Sequence, residues 1–135
     1  MPGASSRSPF SYLILRAVPS VERGEQVNVG VVLFCRQRGF LGARVTVDEA
    51  RLAALGDASI DVRGLEEHLA ALVRVAEGAP DAGAVAALEP SERFGWLAAP
   101  SSTIVQPSAV HTGLCADPEA MLEALHARLV DRPAE

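Results

Sequence analysis

The sequence has no lysine, one asparagine (Asn28), one tryptophan (Trp96), one tyrosine (Tyr12) and two cysteines in 135 residues. All 12 basic side chains are arginine and alanine occurs 23 times, the imprint of a GC-rich genome, since the scarce types have AT-rich codons. Arginine therefore serves ordinary solvated positions too, and a guanidinium alone does not imply phosphate recognition. Two cysteines are too few for a disulfide framework. The start, MPGASSRSPF, is polar and rich in Pro and Ser, unlike a secretory leader, so Cys35 and Cys115 are expected to be reduced thiols in a cytoplasmic protein. The longest apolar run, Val31 to Cys35, is one strand long, far short of the roughly 20 residues of a membrane span. Neither GxxxxGK[ST] nor GxGxxG after a strand occurs, which excludes a P-loop. No GxSxG elbow accompanies the serines, and His111 with Cys115 has no second pair at ligand spacing, so neither a nucleophilic triad nor a zinc site is read. No metal and no cofactor is expected.

What is present is an ordinary globular composition, 49% hydrophobic and 21% charged, enough for one domain with one core. A net charge of −5 argues against general nucleic-acid binding, which needs a basic surface to displace counterions. The charge is uneven: Met1 to Val47 holds six Arg and two Glu, whereas Asp48 to Glu92 holds three Arg and ten acids.

Along the chain, Tyr12 to Val18 reads as a strand stopped by Pro19, and Ser20 to Glu25 as a turn. Val27 to Cys35, near-continuously apolar, reads as a central strand buried on both faces, with Asn28 and Gly30 on one of them. Phe40 to Val47 returns as a third strand, completing a meander. Asp48 is placed to cap a helix to Leu55, and Asp61 one over Val62 to Glu77 closed by Gly78. Ala79 to Ser91 reads as a surface connection with one helical turn. Thr103 to Thr112, interrupted at Pro107, reads as an edge strand or extended loop. Asp117 and Pro118 open a last helix running to about Asp131. The expected fold is α+β: a small antiparallel sheet, a meander plus an extended edge segment, with about three helices packed on one face. The expected organisation is a disordered segment over 1–10, one domain over 11–131 and a tail over 132–135.

Two polar constellations are the candidate binding residues. Arg16, Arg23, Glu25 and Asn28 lie at the joining ends of the first two strands, where the guanidinium groups would hold a carboxylate or phosphate and Glu25 and Asn28 would orient it. The bland alternative is an ion pair of Arg23 with Glu25 and an Asn28 that satisfies backbone groups. Arg93, Trp96, Ser101, Ser102, Gln106, His111 and Thr112 form the second group, around the only tryptophan. Here too a bland alternative stands, with Trp96 lidding the core.

The stretches Tyr12 to Phe34 and Arg93 to Leu114 resemble the two signatures of the DUF3037 family, small bacterial proteins of uncharacterised function. The motif RGExVNxGVxL is carried by Arg23, Gly24, Glu25, Val27, Asn28, Gly30, Val31 and Leu33, and the likeness spans about Ser11 to Val130. The resemblance implies no catalytic residue. It does imply a setting beside genes for HipA-like kinases, and so an accessory or interaction protein as the leading expectation, with a kinase of that kind as partner. The alternative is a small enzyme or ligand-binding domain whose anion site joins the two motifs.

Overall fold

The computed structural model describes residues 7–20, 22–55, 60–100 and 104–131. The elements run β1 (Ser8–Ala17), β2 (Val27–Cys35), β3 (Phe40–Val45), α1 (Glu49–Ala53), α2 (Val62–Glu77), α3 (Pro90–Ala98), β4 (Val105–Pro107), β5 (His111–Cys115) and α4 (Pro118–Leu129). All pairings are antiparallel. β1 lies between β2 and an outer strand that is broken in two, β5 pairing with Ser8 to Tyr12 and β4 with Leu15 to Ala17. β3 flanks β2 on the other side. The break between β4 and β5 is held by Ser108, whose amide donates to Ile14 O (2.8 Å) and whose Oγ accepts from Ile14 N (2.8 Å). The interrupted edge strand expected around Pro107 is therefore present. β1 starts at Ser8 rather than Tyr12, so residues 8–10 belong to the sheet and not to a disordered lead: Phe10 fills the space over Gly113, where an added Cβ would sit 2.8 Å from its ring.

Local chemistry accounts for the helices. Asp48 accepts from Arg51 N (3.2 Å), Asp61 from Gly64 N (3.0 Å) and Asp117 from Glu119 N (3.0 Å), each closing an amide that the first turn leaves unpaired. Gly78, at φ 68, ends α2 in the left-handed region that glycine tolerates. α3 is not among the expected helices: it begins inside the stretch read as a surface connection, Ala79 to Ser91, and runs on past it. Its start carries Pro90 after Glu89, and Glu92 reaches back to the Glu89 amide (3.4 Å) in a capping box written with Glu instead of Ser or Thr.

The α+β expectation holds, with one correction to its layering: the helices do not share a face. Leu13, Leu15 and Ala17 of β1 pack with Leu52, with Leu65, Leu69, Leu72 and Val75 of α2, and with Phe94 and Leu97 of α3. Val31, Leu33 and Cys35 of β2 pack with Phe10, Cys115 and Leu122 and Leu125 of α4 on the opposite face. An apolar strand such as β2 exposes two hydrophobic faces to whatever surrounds it, and one helical layer can cover only one of them.

Gly30 and Asn28 also part company. The β1–β2 register runs Leu15 with Gly30, then Arg16 with Asn28, so Val29 is an extra residue, a β-bulge. The insertion lets Val29 stay in the α2-side core while turning Asn28 to the α4 side.

Candidate functional site

The bulge brings together three of the candidate residues. Arg16 is the Cα partner of Asn28 on one side and of Gln106 on the other, and directly opposed residues place their side chains on one face about 5 Å apart. Asn28, Arg16 and Gln106 thus form a polar row across β2, β1 and β4. Asn28 Nδ2 donates to Leu129 O at the end of α4 (3.0 Å), which fixes the amide and the helix end together. Arg51 donates to the neighbouring Val130 O (2.7 Å), and Thr46 Oγ1 lies 2.9 Å from His126 Nε2.

Within the row, Arg16 is the side chain with no partner among the described residues. Its Nε is buried and unbonded, and its guanidinium makes no hydrogen bond or ion pair with any described residue. Arg44 and Arg93 also bury an unbonded Nε, but their terminal nitrogens are occupied. Arg44 reaches Glu123 (3.4 Å), and Arg93 donates to Leu88 O (2.6 Å) and Ala76 O (3.3 Å). Buried polar groups are normally satisfied; Arg16 is half-buried, and what sets it apart from Arg44 and Arg93 is that its terminal nitrogens bond to no described residue.

The other candidates lie elsewhere. Arg23 and Glu25 pair with each other at 2.8 Å in an exposed loop. Gly24 in that loop has φ 72. Arg93 and Trp96 stand on α3, across the sheet from the row, with Arg93 tying α3 to the end of α2. His111 is on β5 opposite Tyr12, their rings 5.2 Å apart. It shares Arg16's face of the sheet but lies four residues along the strand, roughly 13 Å away. Thr112, opposite Ser11, faces the other way. Ser101 and Ser102 lie outside the described residues.

A cleft of about 310 Å³ adjoins the same region on the α2 side, lined by Leu15, Leu72, Trp96, Leu97, Val105 and Pro107, with His68 its titratable member. A second, also about 310 Å³, shares Pro107 with it and takes in Gln106 and Ser108. Neither Glu25 nor His111 lines either cleft. Nothing in the sequence pattern marks the first cleft, because its apolar lining comes from four separate elements and reads as core in each.

Cys35 and Cys115 are free, buried and close: burial pushes the Cys115 thiol above its ordinary value, with the neighbouring Cys35 adding to the effect. A thiol held protonated in this way is a packing group rather than a nucleophile. Among the described residues no cluster of three His, Cys, Asp or Glu side chains is arranged to hold a metal ion, and no helix is long and apolar enough to cross a membrane.

The architecture is that of a small α+β domain, a five-stranded antiparallel sheet with helices on both faces and a polar row where its bulged central strands meet a broken edge. Over residues 12–130 the chain matches DUF3037, described as a protein of unknown function, and it belongs to that family. No curated protein and no solved structure matches it.

Proposed function

We propose that this chain is a binding domain that captures an anionic group, a carboxylate or phosphate, at Arg16. The observation that carries the reading is the guanidinium left unpartnered between two amide side chains. A planar fork of donors matches two oxygens of such an anion, and the flanking Asn28 and Gln106 are neutral, so no charge within the row competes with it. In this respect the two sequence motifs meet in part: Asn28 comes from the first, Gln106 from the second, and Arg16 joins them. The test is a thermal-shift and calorimetric screen with inorganic phosphate, phosphorylated metabolites, nucleotides and dicarboxylates. A ligand at a hundred times its dissociation constant stabilises by about 2.7 kcal/mol. That gain is expected for one anion class in the native chain and lost in Arg16→Ala. No stabilisation by any class, or an equal gain in the variant, removes the proposal.

The wider role that fits is an accessory or interaction protein in a bacterial cytoplasm. Trp96, 47% exposed beside the apolar cleft, supports it, because exposed tryptophan next to a pocket is the side chain on which protein interfaces concentrate their energy. A HipA-like kinase is the partner to try first, on the setting implied by the family resemblance. Co-expression is expected to give a complex that co-elutes at micromolar concentration and is weakened by Trp96→Ala. Separate elution of the two chains would sink the kinase as partner while leaving the anion site to its own test.

A further inference from the structure

We propose that β5 pairs with the β5 of a second copy of this chain, joining two sheets edge to edge about a twofold axis centred on Thr112. β5 hydrogen-bonds to β1 on one side, and no described strand pairs with its other edge. An open edge presents a row of unpaired N–H and C=O groups, and soluble proteins guard such edges with charges, prolines, bulges or a covering helix. Along the Ser108 to Cys115 half of the broken outer strand, none of these is present among the described residues. From Ser108 to Cys115 the chain reads SAVHTGLC, without Arg, Asp, Glu or Pro, and the β5 pairing with β1 is regular. The opposite edge of the sheet differs: β3 is backed by α2 on one face and α4 on the other, and carries Arg44 bonded to α4.

The exposed side chains choose the occupant. Val110 and Leu114 are 45% and 57% exposed, two of the four large hydrophobics that the described residues leave in solvent. They sit two residues either side of Thr112 and, by strand alternation, on the same face. An antiparallel pair centred on Thr112 sets Val110 of each chain against Leu114 of the other, Thr112 against Thr112, and His111 against Gly113. Both aliphatic side chains are covered, the threonines meet as a favourable cross-strand pair, and the histidine meets the residue with no side chain. The chain's net charge of −5 opposes association of copies in general, but none of its formal charges lies on this segment, so the edge is where copies can approach. A foreign strand would need to bring its own matching aliphatics; a second copy has them in register by symmetry.

Sedimentation equilibrium from about 1 to about 100 µM tests the proposal. The native chain is expected to approach twice its 14.2 kDa, and Leu114→Glu or Val110→Arg alone to weaken association at least about tenfold. Mixing the two variants is expected to restore a dimer, since the register sets Glu against Arg at one site and keeps Val against Leu at the other. Both positions are exposed, so circular dichroism should show native melting for each variant. Concentration-dependent hydrogen-exchange protection confined to residues 110–115 of the native chain gives a readout independent of any variant. A native chain that stays at one-chain mass at the highest concentration overturns the proposal. So does a dimer that neither variant weakens, or one that both weaken and mixing does not restore.

Discussion

Gly30→Ala is expected to destabilise the chain by about 2 kcal/mol, roughly 6–10 °C in Tm for a protein of this length, and Gly30→Val to leave little soluble protein. Gly30 lies in the central strand between Leu15 and Val45. A Cβ there would stand 2.8 Å from Val45 Cγ1, 3.0 Å from the Arg44 carbonyl oxygen and 3.3 Å from Leu15 Cδ1. A side-chain end can swing away. A carbonyl oxygen in a strand ladder moves only with its strand, so the methyl must shift β3 or distort the bulge beside it. The control is Gly95→Ala in α3, where an added Cβ meets nothing within 4 Å and helix propensity favours alanine by up to about 1 kcal/mol. Thermal melts of the two variants should therefore move in opposite directions. If Gly30→Ala melts with or above the native chain, the close approach of β2 to β3 is wrong, and the glycine of the family-like motif needs another explanation.

The same strand shows which parts of the fold were legible in the sequence. Val27 to Cys35 reads as a central strand because its residues are apolar in both alternating sets, and so it is. The run hides the bulge, because Val29 and Gly30 can trade places between the strand's two faces without leaving a polar residue in a core. Asn28 is the only residue that registers the difference, and its role appears only when Leu129, 101 residues later, supplies the carbonyl. Contacts of that separation leave no periodicity to read. The helix caps were visible where they used aspartate, at Asp48, Asp61 and Asp117. The start of α3 was not, because a glutamate cap before proline is also how a loop is written. The division of the helices between two faces was implicit in the composition of β2, yet the order of elements alone does not say which helix crosses which face.

The legibility of the site follows the same division. Arg23 and Glu25 were recognisable as a pair from their spacing, and the exposed ion pair in the loop is what local spacing can deliver; such pairs contribute about 0–1 kcal/mol. Arg16 is legible as the one charge in the otherwise apolar run from Tyr12 to Val18. Its isolation was not readable, since only the finished sheet shows that Asn28 is committed to α4 and that no described carboxylate reaches the guanidinium.

Arg16→Met is expected to make the chain more stable and at the same time blind to anions. The methionine keeps much of the aliphatic stem that packs along β1 while removing the buried, unbonded Nε, and an unsatisfied buried donor costs about 1–3 kcal/mol. A gain of about 1 kcal/mol, a few degrees in Tm, is the expected balance after the loss of some packing. The anion-dependent rise in Tm seen in the native chain should vanish. Arg16→Lys should keep the charge but lose most of the response, because an ammonium cannot offer the planar fork that two oxygens of one anion require. A structural arginine would behave in the opposite way: Arg16→Met would lower Tm by more than about 1 kcal/mol and the anion response, if any, would follow stability. Residues that lower stability where they stand are the ones a binding site retains, and the sign of this one melting shift separates a cation held for a ligand from one held for the fold.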